Sequence, residues 1–176
     1  MTAEDRHQAA VVDFGALYLA HARDLRRFAL YLSGDSAVAD DLVSEAFARA
    51  WTVRERVAMP TVRGYLFTIV RNLFLKQRRR ERRHVALDER LPDRSPAPDE
   101  RVSGQRDLQV VLAALATLPE IDRAAVLMRA DDGVPYEEIA AALGISTIAA
   151  KVKVHRARLR LAESLQPAPL AAPGKE

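Results

Sequence analysis

Apolar side chains recur every three or four positions along three long stretches in the first half of the chain. The stretches run from residue 14 to 32, from 38 to 50 and from 62 to 73. Because an α-helix completes a turn in about 3.6 residues, each pattern places its apolar side chains on one face of an amphipathic helix. Three such helices bury these faces best against one another, which predicts an all-α bundle of three to four helices.

The ends of these helices are marked by local signals. Gly34 suits the left-handed position that ends the first helix, and Ser36 is predicted to cap the second. The periodicity lapses between residues 52 and 60, and Pro60 excludes a helix running through it, so we predict a loop there. We expect Trp51 to lie in the core, and Phe67 to lie either in the core or where it can stack on a base.

Composition excludes several classes of site. The 176 residues include no cysteine, which excludes disulfides, a thiol nucleophile, a cysteine zinc site and an iron–sulfur cluster. The four histidines are scattered in the sequence, so we expect no metal site. We also expect no cofactor and no catalytic residue. No apolar run approaches the about 18 residues of a membrane span, and the N-terminal segment lacks the apolar core of a signal peptide. We therefore predict a cytoplasmic protein without membrane insertion.

Basic residues are concentrated in two patches that the net charge of +3 conceals. The segment 76–83 holds six basic residues and one acid, and the segment 151–160 holds five basic residues and no acid. Two separate patches indicate a polyanion that is touched at two places. Two solvated helix ends would give the same pattern, so the charges alone leave both interpretations open.

The second half begins with a change in composition. Residues 85–106 hold three prolines and five acids and few large apolar residues, which is typical of an extended linker. Shorter helical patterns follow. Pro135 is predicted as a first helical residue, Gly144 permits a sharp turn, and Ser146 is predicted to cap a last helix that ends near Leu165. The remaining residues, 166–176, include three prolines and are expected to be disordered.

Residues 135–158 have the layout of a helix-turn-helix. The second helix projects a polar surface made of Lys151, Lys153, His155, Arg156 and Arg158. Such a helix can lie in the major groove of DNA, where lysine and arginine bind phosphates and read guanine edges. The same geometry also occurs in plain helical bundles, so this motif by itself does not decide the function.

Three motifs together resemble one family. Residues 118–160 resemble region 4 of bacterial RNA polymerase sigma factors of the extracytoplasmic-function type, in the LP-x-x-x-R opening, the YEEIA-x-x-LGIS core and the HRAR-x-R-L ending. Residues 40–51 resemble region 2.2 of the same family, and residues 65–83 resemble the segment that meets the −10 promoter element. The resemblance implies a region 2 domain over 10–84, a flexible linker over 85–106, a helix-turn-helix region 4 domain over 107–165 and a tail over 166–176.

The resemblance also implies the function and its partners. A sigma factor of this family binds core RNA polymerase, at the β′ clamp helices and the β flap, and directs promoter-specific initiation by recognising the −35 element and melting the −10 element. An anti-sigma factor is a further expected partner. The residues expected to bind polymerase are Asp40, Asp41, Leu42, Ser44 and Glu45.

Two sets of residues are expected at the promoter. Those matching the −10 surface are Arg63, Arg71, Asn72, Lys76, Arg78, Arg79 and Arg80. Those matching the −35 surface are Ser146, Lys151, Val152, Lys153, His155 and Arg156. The chain departs from the family at Val152, where serine is usual, and at Ser44, where glutamine is usual. Because valine cannot donate a hydrogen bond, the promoter sequence read at that position is left open.

Three other functions remain open at this point. The first is an independent DNA-binding regulator that acts without polymerase and uses its first half for dimerisation or sensing. The second is a helical nuclease. The sequence argues against it, because no compact set of aspartate, glutamate and histidine residues has metal-ligand spacing. The third is an adaptor that binds polymerase without touching the promoter, which the basic segment after Asn72 argues against.

Overall fold

The structure, a computed structural model, describes residues 14–53, 62–87, 103–130 and 133–165. These residues form the helices α1 (Phe14–Ser33), α2 (Ser36–Val53), α3 (Val62–Leu87), α4 (Ser103–Ala116), α5 (Glu120–Ala130), α6 (Tyr136–Leu143) and α7 (Thr147–Leu165). The predicted all-α fold class is confirmed. Among the described helices, none has both the length and the apolar character needed to cross a membrane.

Helices α1, α2 and α3 pack against one another and form the first group. Their buried faces are the three stripes seen in the sequence, with Leu25, Leu32 and Leu66 each at most 2% exposed. The Phe28 and Phe67 rings meet edge to face, with centroids 4.7 Å apart, so Phe67 is a core residue. Dense packing of this kind makes the bundle a rigid support for whatever its outer faces bind.

The turn between α1 and α2 uses two neighbouring residues. Gly34 has a φ of 79°, the left-handed conformation predicted for it, and its N–H donates to the Leu30 carbonyl over 2.7 Å. Asp35 then caps α2, because its Oδ1 accepts a hydrogen bond from the Val38 N–H at 3.0 Å. The prediction that Ser36 is the cap was therefore wrong by one residue; its hydroxyl accepts from Arg26 instead.

Trp51 does not lie in the core, and that prediction was wrong. It is 41% exposed at the end of α2, whereas Ala50 is 6% exposed and Phe47 is 2% exposed. Successive residues on a helix are separated by about 100°, so the residue after Ala50 turns away from the buried face. The Phe47 ring fills the adjoining space and packs on Tyr18, with the two centroids 4.8 Å apart.

Helices α4 to α7 form the second group, and α6 and α7 make the predicted helix-turn-helix. Gly144 joins them with a φ of 66°. Ser146 caps α7 as predicted, accepting a hydrogen bond from the Ala149 N–H at 3.2 Å. Pro135 lies one residue earlier than predicted, just before α6, where its carbonyl accepts from Glu138 and Ile139. Its missing N–H therefore costs the helix no hydrogen bond.

Helix α3 ends at Leu87 and α4 begins at Ser103, so helix enters both ends of the predicted linker 85–106. The central part of that linker, residues 88–102, lies outside the described residues, as do residues 54–60 of the predicted loop and the predicted tail 166–176. Thr52 and Val53, which were predicted to lie in that loop, are instead the last residues of α2.

The two groups of helices are packed together. Helix α1 contacts α5, and α3 contacts α6. The buried apolar residues of both groups form one continuous cluster. The sequence indicated two domains joined by a linker, but it gave no sign of this direct packing, which places α5 and α6 against the outer side of α1 and α3.

The half-buried His21 makes the stability of the folded state depend on pH. Partial burial and then the positive charge of Arg63 lower the pKa of His21, while Asp24 opposes them. The folded state therefore favours neutral His21, and the unfolded chain takes up the proton more readily. Stability contributed by this group is present above about pH 6.5 and is lost as the pH falls towards the lowered folded value.

We expect His21→Gln to reduce the loss of stability between pH 7.5 and 5.5, because the substitution removes the proton that the unfolded chain binds preferentially. The midpoint of thermal unfolding, measured at both pH values, checks this. His155→Gln, on the exposed face of α7, is the matched control and should keep the decline of the unmodified chain. An equal decline in all three proteins would contradict the role of His21.

Candidate nucleic-acid interface

Helix α7 presents a basic surface to solvent. Its exposed basic residues form two rows on either side of the outer face: Lys151, His155 and Arg158 in one row, and Arg156 and Arg160 in the other. The buried side of the same helix consists of Ala150, Val154 and Ala157, each at most 1% exposed. A helix with one small-residue face on the core and one cationic face outside can enter a major groove.

Exposed apolar side chains interrupt this basic surface, among them Ile148, Val152 and Leu159. Ile148 is 76% exposed and Val152 is 42% exposed, and their spacing of four residues puts them on the same side of α7. Apolar groups of this kind contact the 5-methyl group of thymine in the major groove. Ile148 is an exposed candidate that the sequence analysis did not single out, although its position two residues after the Ser146 cap was a usable signal.

The turn before α6 is fixed by Arg129, which the sequence analysis also missed. The Arg129 guanidinium donates to the carbonyls of Gly133 and Val134, both at 3.1 Å, and its Cζ lies 4.6 Å from the centroid of the Tyr136 ring. The Lys151 ammonium lies 5.7 Å from the same centroid. The local signal was a basic residue in the last turn of α5, directly before a turn whose carbonyls it can reach.

Lys153 is not part of this exposed basic surface. Its ammonium donates to the Asp122 carboxylate over 2.9 Å, and the Asp122 side chain is only 8% exposed. A buried carboxylate needs a cationic or hydrogen-bonding partner, and Lys153 supplies it. The structure thus ties one expected −35 residue to α5, while Lys151, His155 and Arg156 remain on the outer face.

Helix α3 carries an open groove with a volume of about 320 Å³. Its lining consists of Asn72, Leu75, Lys76, Arg79 and Arg83. The spacings of three and four residues put all of them on one side of the helix. The structure therefore brings together three of the expected −10 residues, and it adds Leu75 and Arg83, which follow the same spacing. The groove offers three cations, an amide and an apolar wall to a ligand.

The other expected −10 residues face elsewhere. The Arg71 guanidinium binds Glu120 of α5 through two hydrogen bonds of 2.7 and 2.9 Å. Arg78 lies over the Phe74 ring, with its Cζ 5.7 Å from the centroid. Arg63 approaches Asp24 to 3.4 Å, and Arg80 is exposed on another side of α3.

Helix α2 exposes an acidic face. Asp41, Ser44 and Glu45 are exposed, and Glu45 forms an ion pair with Arg49 one turn later. Asp40 is bound by Arg26 of α1 at 2.6 Å, and this hydrogen bond lowers the pKa of the Asp40 carboxyl. Asp40 therefore contributes to the contact between α1 and α2 as well as to the acidic face.

Leu42, expected as apolar support for the polymerase-binding residues, lies beneath the acidic face and not on it. Its side chain is 4% exposed and packs in the core beneath the acidic face, so in this structure it offers no contact surface to a partner. The apolar stripe of α2 already required this burial.

Two family models match the chain. The model for Sigma-70 region 2 matches residues 17–84, and the model for Sigma-70 region 4 matches residues 108–161. The first match covers the three-helix group with the acidic face and the groove. The second covers most of α4 and the helix-turn-helix. Both regions lie in the order indicated by the sequence motifs.

Curated relatives match over most of the chain. The ECF RNA polymerase sigma factor SigL of Mycobacterium tuberculosis is 37% identical over 157 residues, which is 86% of this chain and 88% of SigL. The ECF RNA polymerase sigma factor SigE of Mycolicibacterium smegmatis is 38% identical over 166 residues, which is 90% of this chain and 63% of SigE. The chain thus spans less than two thirds of SigE and nearly all of SigL.

Solved structures show the same arrangement of helices. The sigma factor RpoE from Bartonella quintana, in complex with the anti-sigma factor NepR, is 35% identical, with a TM-score of 0.77 over 88% of this chain and 98% of RpoE. CnrH, in complex with the cytosolic domain of CnrY, is 26% identical, with a TM-score of 0.66 over 90% of this chain and 93% of CnrH. With both sigma regions matched in order and SigL similar over nearly its whole length, the chain belongs to the extracytoplasmic-function sigma factors of bacterial RNA polymerase.

Proposed function

We propose that this sigma factor divides its work among three helices: α2 binds core polymerase, α7 reads the −35 element, and α3 holds the opened −10 element. The observation that carries this assignment is the separation of the charged surfaces. The exposed cations of α7 and the groove of α3 belong to different family regions, and the exposed acids of α2 form a third, separate surface. One chain with these surfaces can bridge a protein and two DNA sites.

At the −35 element, we place the outer face of α7 in the major groove. Arg156 and Lys151 are suited to the O6 and N7 atoms of guanine or to phosphates, and His155 can donate or accept a hydrogen bond at a base edge. Ile148 and Val152 are suited to thymine methyl groups. Ser146 keeps the first turn of α7 capped and so fixes where this face begins.

At the −10 element, we place single-stranded DNA along the groove of α3. Opening a duplex costs a few kcal/mol per base that leaves the stack, so the separated strand needs compensating contacts. Lys76, Arg79 and Arg83 supply positive charge for the backbone, and Asn72 has both donors and an acceptor for a base edge. Arg63, Arg71, Arg78 and Arg80 are secondary candidates, since they lie outside the groove lining.

We assign the binding of core polymerase to the exposed acids of α2, which would contact the β′ clamp helices. Asp41 and Glu45 are the principal candidates, and Ser44 lies between them. The second group of helices is assigned to the β flap. The chain itself carries out no catalytic step, because the polymerase forms the phosphodiester bonds, and it acts in the cytoplasm, where its template is. An anti-sigma factor is a further proposed partner, by analogy with RpoE bound to NepR and CnrH bound to CnrY.

The test is run-off transcription by core polymerase on a promoter library, with and without the full chain. We expect transcripts from a subset of promoters that share two sequence elements, and only when the chain is present. Tight and sequence-specific binding of duplex DNA by the chain alone, without an effect on the polymerase, would instead favour an independent helix-turn-helix regulator.

We expect Lys76→Ala with Arg79→Ala to impair strand opening while duplex −35 binding is unchanged. Each lost phosphate contact should reduce the dependence of binding on salt by about one unit of log–log slope, so the affinity ratio between the unmodified chain and the variant should be largest at low salt and should fall as salt rises. Permanganate footprinting of unpaired thymines in the polymerase–promoter complex measures opening. Arg82→Ala with Arg106→Ala removes the same charge from exposed positions outside the groove and is the control. Opening equal to that of the unmodified chain at every salt concentration would refute the groove assignment.

A further inference from the structure

An outer apolar stripe, made of Ile148, Val152 and Leu159, runs along the side of α7 that points farthest from the core. At about 100° per residue, these three exposed side chains fall within about 40° of one another around the helix axis. The face that packs on the core lies on the opposite side of the helix. Four of the nine large apolar side chains that are exposed in the described part of the chain lie on α7, so they are concentrated there. Exposed apolar groups that are gathered on one face and rimmed by polar residues mark a contact site.

Basic residues flank the outer apolar stripe on both sides. The row of Lys151, His155 and Arg158 lies about 70° to one side, and the row of Arg156 and Arg160 lies about 80° to the other. The major groove of DNA has a matching cross-section, because base edges form its floor and the two phosphate backbones form its walls. A helix with its basic rows towards the walls presents the stripe to the base edges. The charge pattern therefore favours duplex DNA as the occupant of this face, since it gives both rows a partner.

We propose that Ile148 and Val152 select the 5-methyl groups of pyrimidines in the −35 element, so that a thymine, or a 5-methylcytosine in its place, is preferred opposite each of them. This inference rests on the function proposed above and names the chemical group that the −35 site selects. The 5-methyl group is the apolar group that a base pair presents in the major groove. Alkyl side chains gain by covering it, whereas covering the N4 amino group of cytosine leaves a hydrogen-bond donor without a partner.

The positions of the two side chains limit which base pairs take part. Ile148 is the second residue of α7, whose first turn is capped by Ser146, and Val152 lies one turn later. Four residues advance about 6 Å along a helix, whereas neighbouring base pairs are about 3.4 Å apart. The two methyl groups are therefore expected on base pairs one or two steps apart. Leu159 lies about 10 Å beyond Val152, past the N-terminal half that contacts bases, so we expect it to add nothing to base selection.

The first experiment removes single methyl groups from the DNA. Promoters identified by run-off transcription are rebuilt with deoxyuridine in place of each −35 thymine in turn, which keeps the base pair and removes only the methyl group. Binding is measured with the full chain assembled on core polymerase. We expect two positions, at most two steps apart, at which the loss of the methyl group weakens binding about fourfold, as for one methylene group removed from an apolar contact. Unchanged affinity at every thymine would overturn the inference.

Cytosine supplies the reverse experiment. At a sensitive position, the pair of thymine with adenine is replaced by cytosine or by 5-methylcytosine paired with guanine, and these two duplexes differ only in the methyl group. We expect the methylated duplex to bind about fourfold more tightly than the unmethylated one. Equal binding of the two would overturn recognition of the methyl group itself. With the expected result, promoter affinity responds to cytosine methylation at these positions.

Substitutions in the protein identify the side chains that recognise the methyl groups. Ile148→Ser and Val152→Ser should each abolish the deoxyuridine penalty at one position and leave it at the other. Leu159→Ser, at an exposed residue of the same stripe, is the matched control and should keep both penalties. A control that lost the penalties to the same extent would overturn the assignment to Ile148 and Val152. Circular dichroism establishes that each variant is folded.

A different result would assign the stripe to a protein. If the serine variants weakened the complex with core polymerase and left the deoxyuridine penalties unchanged, the stripe would be a polymerase contact and the inference would be wrong. The proposed function would stand in that case, since promoter-specific transcripts do not depend on which group of a base is read. A run-off assay without promoter-specific transcripts would instead refute the proposed function, and this inference with it.

Discussion

Reversal of the two principal acids of α2, by Asp41→Arg with Glu45→Arg, should weaken binding to core RNA polymerase by roughly 30-fold, or about 2 kcal/mol. Both carboxylates are exposed on the side of α2 opposite its buried stripe, so their replacement leaves the core intact. Loss of an exposed ion pair costs about 0.2–1 kcal/mol, and reversal adds repulsion from the partner's cations. The measurement is the dissociation constant for core polymerase, obtained with a fluorescently labelled chain.

The control must change the net charge equally. Asp107→Arg with Glu163→Arg does so at exposed sites on α4 and α7, in the group assigned to the β flap, and it should weaken the affinity much less than the double reversal on α2. Asp40 is unsuitable for this purpose because it also binds Arg26 across α1 and α2, so its loss would disturb the bundle. Undiminished affinity after the double reversal would remove this face of α2 from the polymerase interface.

Arg156→Ala should reduce initiation most on promoters that depend on the −35 element. A lost bidentate contact to a base edge costs about 1–3 kcal/mol, which is roughly 5- to 150-fold in affinity, and it relaxes the preference at the base that was read. The measurement is binding of the polymerase complex to duplexes in which each −35 base pair is varied in turn.

Arg158→Ala separates base reading from general attraction. It removes the same charge from an exposed residue of the same helix, and it should weaken all −35 duplexes by a similar factor. If Arg156→Ala also weakened every duplex equally, Arg156 would be a phosphate contact, and the base preference would have to come from other residues of α7.

Periodicity was the part of the sequence that predicted structure best. The apolar stripes located the helices of both groups because spacings of three and four residues directly report one helical face. Errors arose where a decision rested on one residue. Asp35 caps α2 although Ser36 was also a good capping type, and Trp51 is exposed because it falls at the edge of the buried face. Residue propensity does not distinguish such neighbours, because the tertiary structure sets where the helix begins and which face is buried.

Ion pairs between residues that are far apart in the sequence could not be predicted from the sequence. Lys153 and Asp122 are 31 positions apart, and Arg71 and Glu120 are 49 positions apart. Local charge patterns assigned Arg71 and Lys153 to solvent and DNA, because basic residues on a helix usually face water. Only the tertiary structure shows that these two cations already have partners within the chain. The groove of α3, by contrast, follows a regular helical spacing and was largely predictable.

The side chains of α7 that hold it in place are not the ones that face outward. Its anchoring is carried by two alanines and a valine, Ala150, Ala157 and Val154, whereas Ile148 and Val152 contribute little to the core. Exposed positions tolerate substitution with small changes in stability. Gene duplicates of such a chain can therefore acquire new target promoters through a few codon changes on one face, without a compensating change elsewhere. The proposed −35 surface can thus change while the scaffold beneath it stays the same.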